Sequence, residues 1–409
     1  MSEWKTIKIA DAALEIIDGD RGKNYPKQSD FSPEGYCLFL NAGNVTMDGF
    51  NFANTLFITQ TKDEALRKGK LKREDIVLTT RGTVGNVALY NNRIPYDNVR
   101  INSGMVIFRV NPNDISADYL YHYLRSKMFQ NSILCKRSGS AQPQLPIRDI
   151  KTMNLLLPPV KIQRKIARFL SSLDDKIELN AQINHNLEEQ AKAIFKSWFV
   201  DFKPFQDGEF IDTELGQIPA GWRIGTLNEI ADITMGQSPK GSSYNEDSVG
   251  TVFYQGRAEF SDRFPVRRLF TTEPKRMADA GDVLLSVRAP VGDMNIANEA
   301  CCIGRGLAAI HAKKAFSSFV FYTMQALKPE LDKYNGEGTV FGCINKDALN
   351  SQKIIIPPDS VIFEFEQIAS SLDRKYLADF RENMRLTQLR DALLPKLMSG
   401  EIDVSEVEV

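Results

Sequence analysis

Methyl transfer to an adenine amino group would need a loop of the form Asn/Asp-Pro-Pro-aromatic to hold the extruded base, and a glycine-rich turn for the methyl donor. The nearest string, Asn111-Pro112-Asn113-Asp114, lacks the second proline and the aromatic residue. It reads as a turn after a strand. Gly236-Gln237-Ser238-Pro239-Lys240-Gly241 carries glycines and a lysine in the wrong order for a phosphate loop. Gly304-Arg305-Gly306 could wrap a phosphate in a backbone nest, although a tight turn is the simpler reading. His122, His185 and His311 lie far apart without metal-ligand spacing. Asp174-Asp175 is expected early in a helix, where the macrodipole favours negative charge. Cys37, Cys135, Cys301, Cys302 and Cys343 show no C-x-x-C pair, so reduced, mostly buried thiols are expected. Neither a catalytic centre nor a metal site is expected in this chain.

The sequence also carries a repeated turn with an arginine on it. Asp75-Ile76-Val77-Leu78-Thr79-Thr80-Arg81-x-x-Val84-Gly85 recurs 207 residues later as Asp282-Val283-Leu284-Leu285-Ser286-Val287-Arg288-x-x-Val291-Gly292. Arginine binds guanine bidentately or grips phosphate, so Arg81 and Arg288 are candidate DNA contacts, with surface solubility or a structural ion pair as the alternative for each candidate residue. Gln255 and Arg257 follow a strand in the second copy, and Asn41 and Asn44 hold the comparable place in the first. Lys240 and Arg305 are candidate phosphate contacts. From Arg257 to Arg276 the chain also holds Arg263, Arg267, Arg268 and Lys275 against only Glu259, Asp262 and Glu273. A DNA-binding face on a chain of net charge −1 needs such a local excess, because counterion release responds to the contacting surface.

Elements must present these residues, and the sequence writes them twice. Leu155-Leu156-Leu157-Pro158-Pro159 recurs as Ile354-Ile355-Ile356-Pro357-Pro358, and Ser171-Ser172-Leu173-Asp174 as Ser370-Ser371-Leu372-Asp373, both 199 residues on. Trp4 and Trp222 begin equivalent segments. Each copy opens with a mixed region of short β-rich runs and one clear helix, about 117–130 and 317–334, with Ser116 and Ser317 as N-caps. After each double proline a long amphipathic helix follows. Ile166, Leu170, Leu173, Ile177, Asn180, Asn184, Leu187, Ala191, Ile194 and Trp198 step by four and three. Adding 199 gives Phe365, Ala369, Leu372, Tyr376, Asp379, Asn383, Leu386, Arg390, Leu393 and Leu397, a second seam that Arg390 interrupts. Laid antiparallel, the seams set Asn180 opposite Asn383 and Asn184 opposite Asp379, polar pairs that would fix register.

The expected fold is therefore α+β, with two similar mixed α/β domains, 1–157 and 219–356. Two long antiparallel coiled-coil helices, 158–203 and 357–400, join them as a pseudo-two-fold internal repeat. A linker at 204–218 and an acidic tail at 401–409 complete it. Length and a hydrophobic content of 43% are those of a globular protein of two or three domains. No apolar run approaches the roughly 20 residues of a membrane helix, and Met1-Ser2-Glu3-Trp4-Lys5 is too polar for a secretory signal. A cytoplasmic protein is expected. A doubled molecule suits a DNA site of two separated halves, which need not be inverted repeats because the copies differ. From Ile166 to Trp198 the seam spans about 50 Å of helix at ~1.5 Å per residue, or about 15 base pairs at 3.4 Å.

Ser197-Trp198-Phe199-Val200-Asp201-Phe202-x-Pro204, Leu215-Gly216-x-Ile218-Pro219-x-Gly221-Trp222 and Leu389-Arg390-Asp391-x-Leu393-Leu394-Pro395-Lys396-Leu397-Met398-Ser399-Gly400 resemble signatures of one family, the specificity subunits of type I restriction-modification systems. Met235-Gly236-Gln237-Ser238-Pro239 and Tyr254-Gln255-Gly256 are similar to one subgroup of its recognition domains, which adds Gln237 to the candidate contacts. Asp18-Gly19-Asp20-Arg21-Gly22 departs from that form in the first domain. The resemblance implies that each recognition domain reads half of a bipartite site and that the helices set the spacer. It further implies that two modification subunits dock on the helices and supply S-adenosylmethionine. Two motor-nuclease subunits, with ATP and Mg, can join them. Docking would fall on the seam residues Leu173, Ile177, Asn180, Asn184, Leu187, Trp198, Leu372, Tyr376, Asp379, Asn383 and Leu386. The alternatives are a methylation-only system using the same subunit, or a coiled-coil scaffold without DNA specificity.

Overall fold

A computed structural model describes residues 4–137, 143–336 and 342–404. The chain divides into two units, one of residues 1–180 and 381–409, the other of 181–380. The last three residues of the first β-rich repeat's strand Asn154–Leu157 are followed by Pro158-Pro159 and a helix from Val160 to Phe199. Strand Lys353–Ile356 and Pro357-Pro358 likewise precede a helix from Asp359 to Ser399. Proline ends the ladder because it has no N–H, and its fixed φ suits the start of a helix. Each unit thus holds half of each long helix.

In the first unit a four-stranded antiparallel sheet runs in the order Leu14–Asp18, Met105–Val110, Asp75–Thr79, Val87–Tyr90. Its strands alternate between two cores. Ile76, Leu78, Val106 and Phe108 pack towards the helices, while Val77, Met105 and Ile107 pack towards Leu38, Leu40 and Val99. A three-stranded sheet supplies that other side, with Cys37–Leu40 parallel to Val99–Ile101. The second unit repeats the plan with Ala231–Met235, Leu307–Ala312, Val283–Ser286 and Met294–Ile296 in one sheet. Thr251–Tyr254 lies parallel to Cys301–Ile303 in the other.

Several expectations need correction. The helix at 117–130 is two helices, Ala117–Arg125 and Lys127–Lys136; Ser116 caps the first and Ser126 caps the second. Ser317 is not a cap, because the second-copy helix starts at Ser317 behind Phe316. Its first N–H groups are instead met by the Glu366 carboxylate, which accepts from Ser318 (3.1 Å) and Phe319 (3.0 Å). The 204–218 segment folds into a hairpin, Phe210–Thr213 against Gly216–Pro219.

Within the first unit Asn180 Nδ2 donates to Asn383 Oδ1 (2.9 Å), and Asn383 Nδ2 to the Ile177 carbonyl (3.0 Å), so the segments run antiparallel. Arg390 does not spoil its seam. Its guanidinium meets Asp174 (2.7 Å), whose other oxygen takes Arg125 (2.8 Å). Asp174 therefore lies mid-helix as an ion-pair anchor, and its partner Asp175 pairs with Arg93 (2.7 Å); neither serves the helix dipole. Within the second unit Asn184 Nδ2 donates to the Tyr376 carbonyl (3.3 Å), while Lys375 holds Asp379, so the expected Asn184–Asp379 pair is not the bond that forms. Asn180, Asn184 and Asp379 are buried, whereas Leu173, Ile177, Leu187, Trp198, Leu372, Asn383 and Leu386 are half-buried.

Candidate nucleic-acid interface

The two arginine-bearing turns are built alike. After strand Asp75–Thr79 the Gly85 N–H closes the turn onto the Thr79 carbonyl (3.0 Å), and the Thr79 hydroxyl donates to Thr83. After Val283–Ser286 the Gly292 N–H closes onto Ser286 (2.9 Å), and the Ser286 hydroxyl donates to Pro290. Gly85 (φ +107°) and Gly292 (φ +92°) occupy backbone that side chains resist. Each turn is then sewn to two further loops. Thr80 N–H donates to Gly104 (2.7 Å) and Val287 N–H to Gly306 (2.9 Å), while Leu145 N–H reaches Thr80 (2.9 Å) and Ile344 N–H reaches Val287 (3.1 Å). Arg81 and Arg288, one residue along, are held at matching places with exposed side chains.

A fourth loop completes each cluster through a close backbone approach. A Cβ on Gly236 would stand 2.2 Å from the Gly304 carbonyl, and one on Gly304 would stand 2.7 Å from that of Gln255. The glycines of Gly304-Arg305-Gly306 thus serve backbone packing, and the Leu307 N–H closes a tight turn onto Gly304 (3.0 Å). Gln237 N–H donates to Ile303 (3.0 Å), and Arg305 N–H to the Ser238 hydroxyl (3.3 Å). Gln237, Gln255, Arg288 and Arg305 are therefore brought together on mutually bonded loops, and all are exposed. Lys240 is exposed on the same loop as Gln237, its carbonyl closing the Gly241–Ser243 turn.

Charge distinguishes these residues from most of the basic run. Arg81, Lys240, Arg288 and Arg305 form no ion pair among the described residues. The basic run behaves otherwise, because Arg257 pairs with Asp293, Arg263 with Asp373, Arg267 with Glu299 and Arg268 with Glu259. Most of the expected local excess is neutralised in place. Arg257 keeps half its side chain exposed but is engaged by Asp293 beside the Arg288 turn. Asn44 drops out of the contact set. It is buried, donates to the Asn51 (3.0 Å) and Asn54 (2.8 Å) carbonyls, and accepts the Asn41 N–H (2.9 Å). Asn41 caps the same turn by accepting from Gly43 N–H (2.8 Å) and remains half-exposed. Sequence reasoning missed Gln144 and Cys343, which bridge to Arg81 and Arg288. The 199-residue repeat offset relates those two positions and was the available signal.

The remaining titratable groups are structural. His122 is buried with its Nε2 3.1 Å from the Ser171 hydroxyl, but its Nδ1 stands 3.9 Å from Asp174, whose oxygens the arginines already hold. Burial pushes His122 down to about 3, which makes its neutral ring a weak base towards the Ser171 hydroxyl. His311 Nδ1 lies 2.6 Å from Asp282, which raises its pKa, and Asp279 completes a three-residue cluster. The other Asp282 oxygen accepts the Asp279 N–H (2.8 Å). At the equivalent place in the first unit Asp75 takes a bidentate Arg109 (2.6 and 2.8 Å), so the pattern is that of an ion pair. Trp198 packs on Phe205 and Phe365, as helix-end packing requires.

Comparison with known proteins agrees with this geometry. The family model described as the type I restriction modification DNA specificity domain matches residues 1–189 and 219–381. The MjaX type I restriction enzyme specificity subunit of Methanocaldococcus jannaschii is 33% identical over 85% of this chain and 83% of its own length. The HindI specificity subunit of Haemophilus influenzae is 25% identical over 98% and 100%. In fold, the chain is similar to the S subunit of a type I restriction-modification system from M. genitalium, with a TM-score of 0.60 at 17% identity, covering 97% and 96% of the two chains.

Proposed function

We propose, from the premise that this chain belongs to the type I restriction-modification DNA specificity family, that its two loop clusters each read one half of a bipartite duplex site. The chain is a specificity subunit with two target-recognition domains, and recognition rather than catalysis is its role. The observation that carries the reading is the pair of unneutralised arginines, Arg81 and Arg288, each held on a rigid turn at an equivalent place. In the same domain as Arg288, Arg223, Arg257, Arg263, Arg267 and Arg268 are matched with carboxylates. Exposed and without a carboxylate partner among the described residues, Arg81 and Arg288 keep their charge available for guanine or phosphate. Arg305, Lys240, Gln237 and Gln255 enlarge the second reading surface, whereas Asn41 stands with Arg81 in the first.

The long helices set the gap between halves and carry the docking surface for two modification subunits, which hold S-adenosylmethionine. A motor-nuclease pair with ATP and Mg joins where the system also cuts. Among the described residues no helix is long and apolar enough to cross a membrane, consistent with work beside the chromosome in the cytoplasm. Methylome sequencing of a host lacking DNA methylation, expressing this chain with its modification subunit, tests the reading. A single new N6-methyladenine motif in two parts with a fixed gap supports it. No motif from an expressed, associated pair leaves the coiled-coil scaffold as the better account.

A further inference from the structure

The close backbone contacts of the two domains correspond position by position, and one matched position carries different residues. A Cβ on Gly19 would stand 2.0 Å from the Asn102 carbonyl, just as one on Gly236 would stand 2.2 Å from that of Gly304. Gly19 therefore matches Gly236, and Asn102-Ser103-Gly104 matches Gly304-Arg305-Gly306. The same pairing follows from the turns, since Thr80 N–H meets Gly104 where Val287 N–H meets Gly306. Ser103 thus stands where the second domain has Arg305, and the first domain has no arginine on this turn.

The missing cation comes from the neighbouring loop. Arg21, two residues after Gly19, lays Nη2 on the Ser103 carbonyl (3.2 Å) and forms an ion pair with Asp18 Oδ1 (3.2 Å). Unlike Arg81 and Arg288, it is thus partly neutralised. Its side chain remains 49% exposed, and Nε and Nη1 have no partner among the described residues. A guanidinium has five N–H donors, so most of its hydrogen-bonding capacity points outward. The loop beneath is rigid, because buried Asp20 accepts the N–H groups of Gly22 (2.6 Å), Arg67 (2.7 Å) and Lys68 (3.3 Å). Those bonds account for the departure of Asp18-Gly19-Asp20-Arg21-Gly22 from the Gly-Gln-Ser-Pro form. Arg81 reaches the same Ser103 turn from its other side, through Arg81 N–H to Gly104 (3.2 Å).

We propose that Arg21 is a specificity-determining DNA contact of the first recognition domain, delivered over Ser103 into the place that Arg305 fills in the second. Both domains then read with two arginines, one on the repeated turn and one at the glycine-rich turn beside it, although the second arginine comes from different loops. The inference rests on the bipartite-reading proposal and deepens it.

The test uses the full chain in complex with its modification subunit, titrated at fixed salt on duplexes with both half-sites intact or with either half scrambled. Arg21→Ala, Arg81→Ala, Arg288→Ala and Arg305→Ala are compared. Arg21→Ala is expected to weaken binding about tenfold or more on duplexes that keep the half-site sensed by Arg81, and less than about twofold where that half is scrambled. Arg288→Ala and Arg305→Ala should report on the other half. Arg21→Ala binding like the unsubstituted complex, losing equally on every duplex, or following Arg305, overturns the assignment. An unsubstituted complex that binds intact and scrambled duplexes alike overturns bipartite reading itself.

Discussion

Removing Arg263 should unlock the second recognition domain from its helix. Its side chain is 2% exposed, pairs with Asp373 on the second long helix, and lies against Phe321 and Tyr376 with its guanidinium 4.7 Å from each ring. Tyr322 also donates to the same Asp373 oxygen (3.0 Å). Truncating one partner of such a pair costs about 3–5 kcal/mol, because the other charge, here Asp373 at 20% exposure, is left largely out of water. Lost cation–π contact belongs to the same replacement and is not added separately. At about 2–4 °C per kcal/mol for a unit of roughly 200 residues, Arg263→Ala should lower the melting temperature by about 6–20 °C. Calorimetry of the full chain measures it. Asp373→Asn added to Arg263→Ala should recover at least about 1 kcal/mol by removing the stranded carboxylate. A single variant within about 1 kcal/mol of the parent, or a double variant that adds the two losses, would refute the argument.

The two helix- and strand-borne histidines should push stability in opposite directions with pH. His311 has its pKa raised by Asp282, so its contribution is complete below the ordinary imidazole value and fades as pH rises through the folded value; His311→Arg, which copies Arg109, should abolish that alkaline loss in urea melts at pH 6 to 8. His122, depressed to about 3 by burial, contributes fully above about 6.5 and costs up to about 1.4 kcal/mol per pH unit as pH falls towards 3, an acid-side slope that His122→Gln should flatten. Cys343, exposed and bridged to Arg288, should be shielded from maleimide by cognate DNA, whereas exposed Cys135 on helix Lys127–Lys136 serves as reference; mass spectrometry showing equal labelling of Cys343 with and without DNA would remove it from the interface. Asn44→Ala should destabilise the chain by about 1–3 kcal/mol, through stranded carbonyls and a lost turn, yet leave the methylated motif unchanged.

The sequence by itself determined the doubled plan. Local repetition at offsets of 199 and 207 residues needs no tertiary knowledge, double prolines stop strands wherever they fall, and apolar residues at coiled-coil spacing specify a helix face. The seam register followed too, since Asn180 does bond to Asn383. Sequence could also nominate Arg81 and Arg288, because the turns that carry them recur.

What only the tertiary structure decided was which polar groups are already spent. A run of arginines looks basic in one dimension, yet Arg257, Arg263, Arg267 and Arg268 find carboxylates as near as Glu259 and as far as Asp373. Arg390 looks like a fault in a seam until Asp174, 216 residues away, meets it. Asn44 looks like a reader and is a buried strut, and Arg21 lies in a segment that only departs from the second copy's form until its guanidinium is found over Ser103. The physical reason is common to all four. Hydrogen bonds and ion pairs act over about 3 Å of space with no regard for separation along the chain, so a side chain's freedom to meet DNA depends on neighbours that folding supplies.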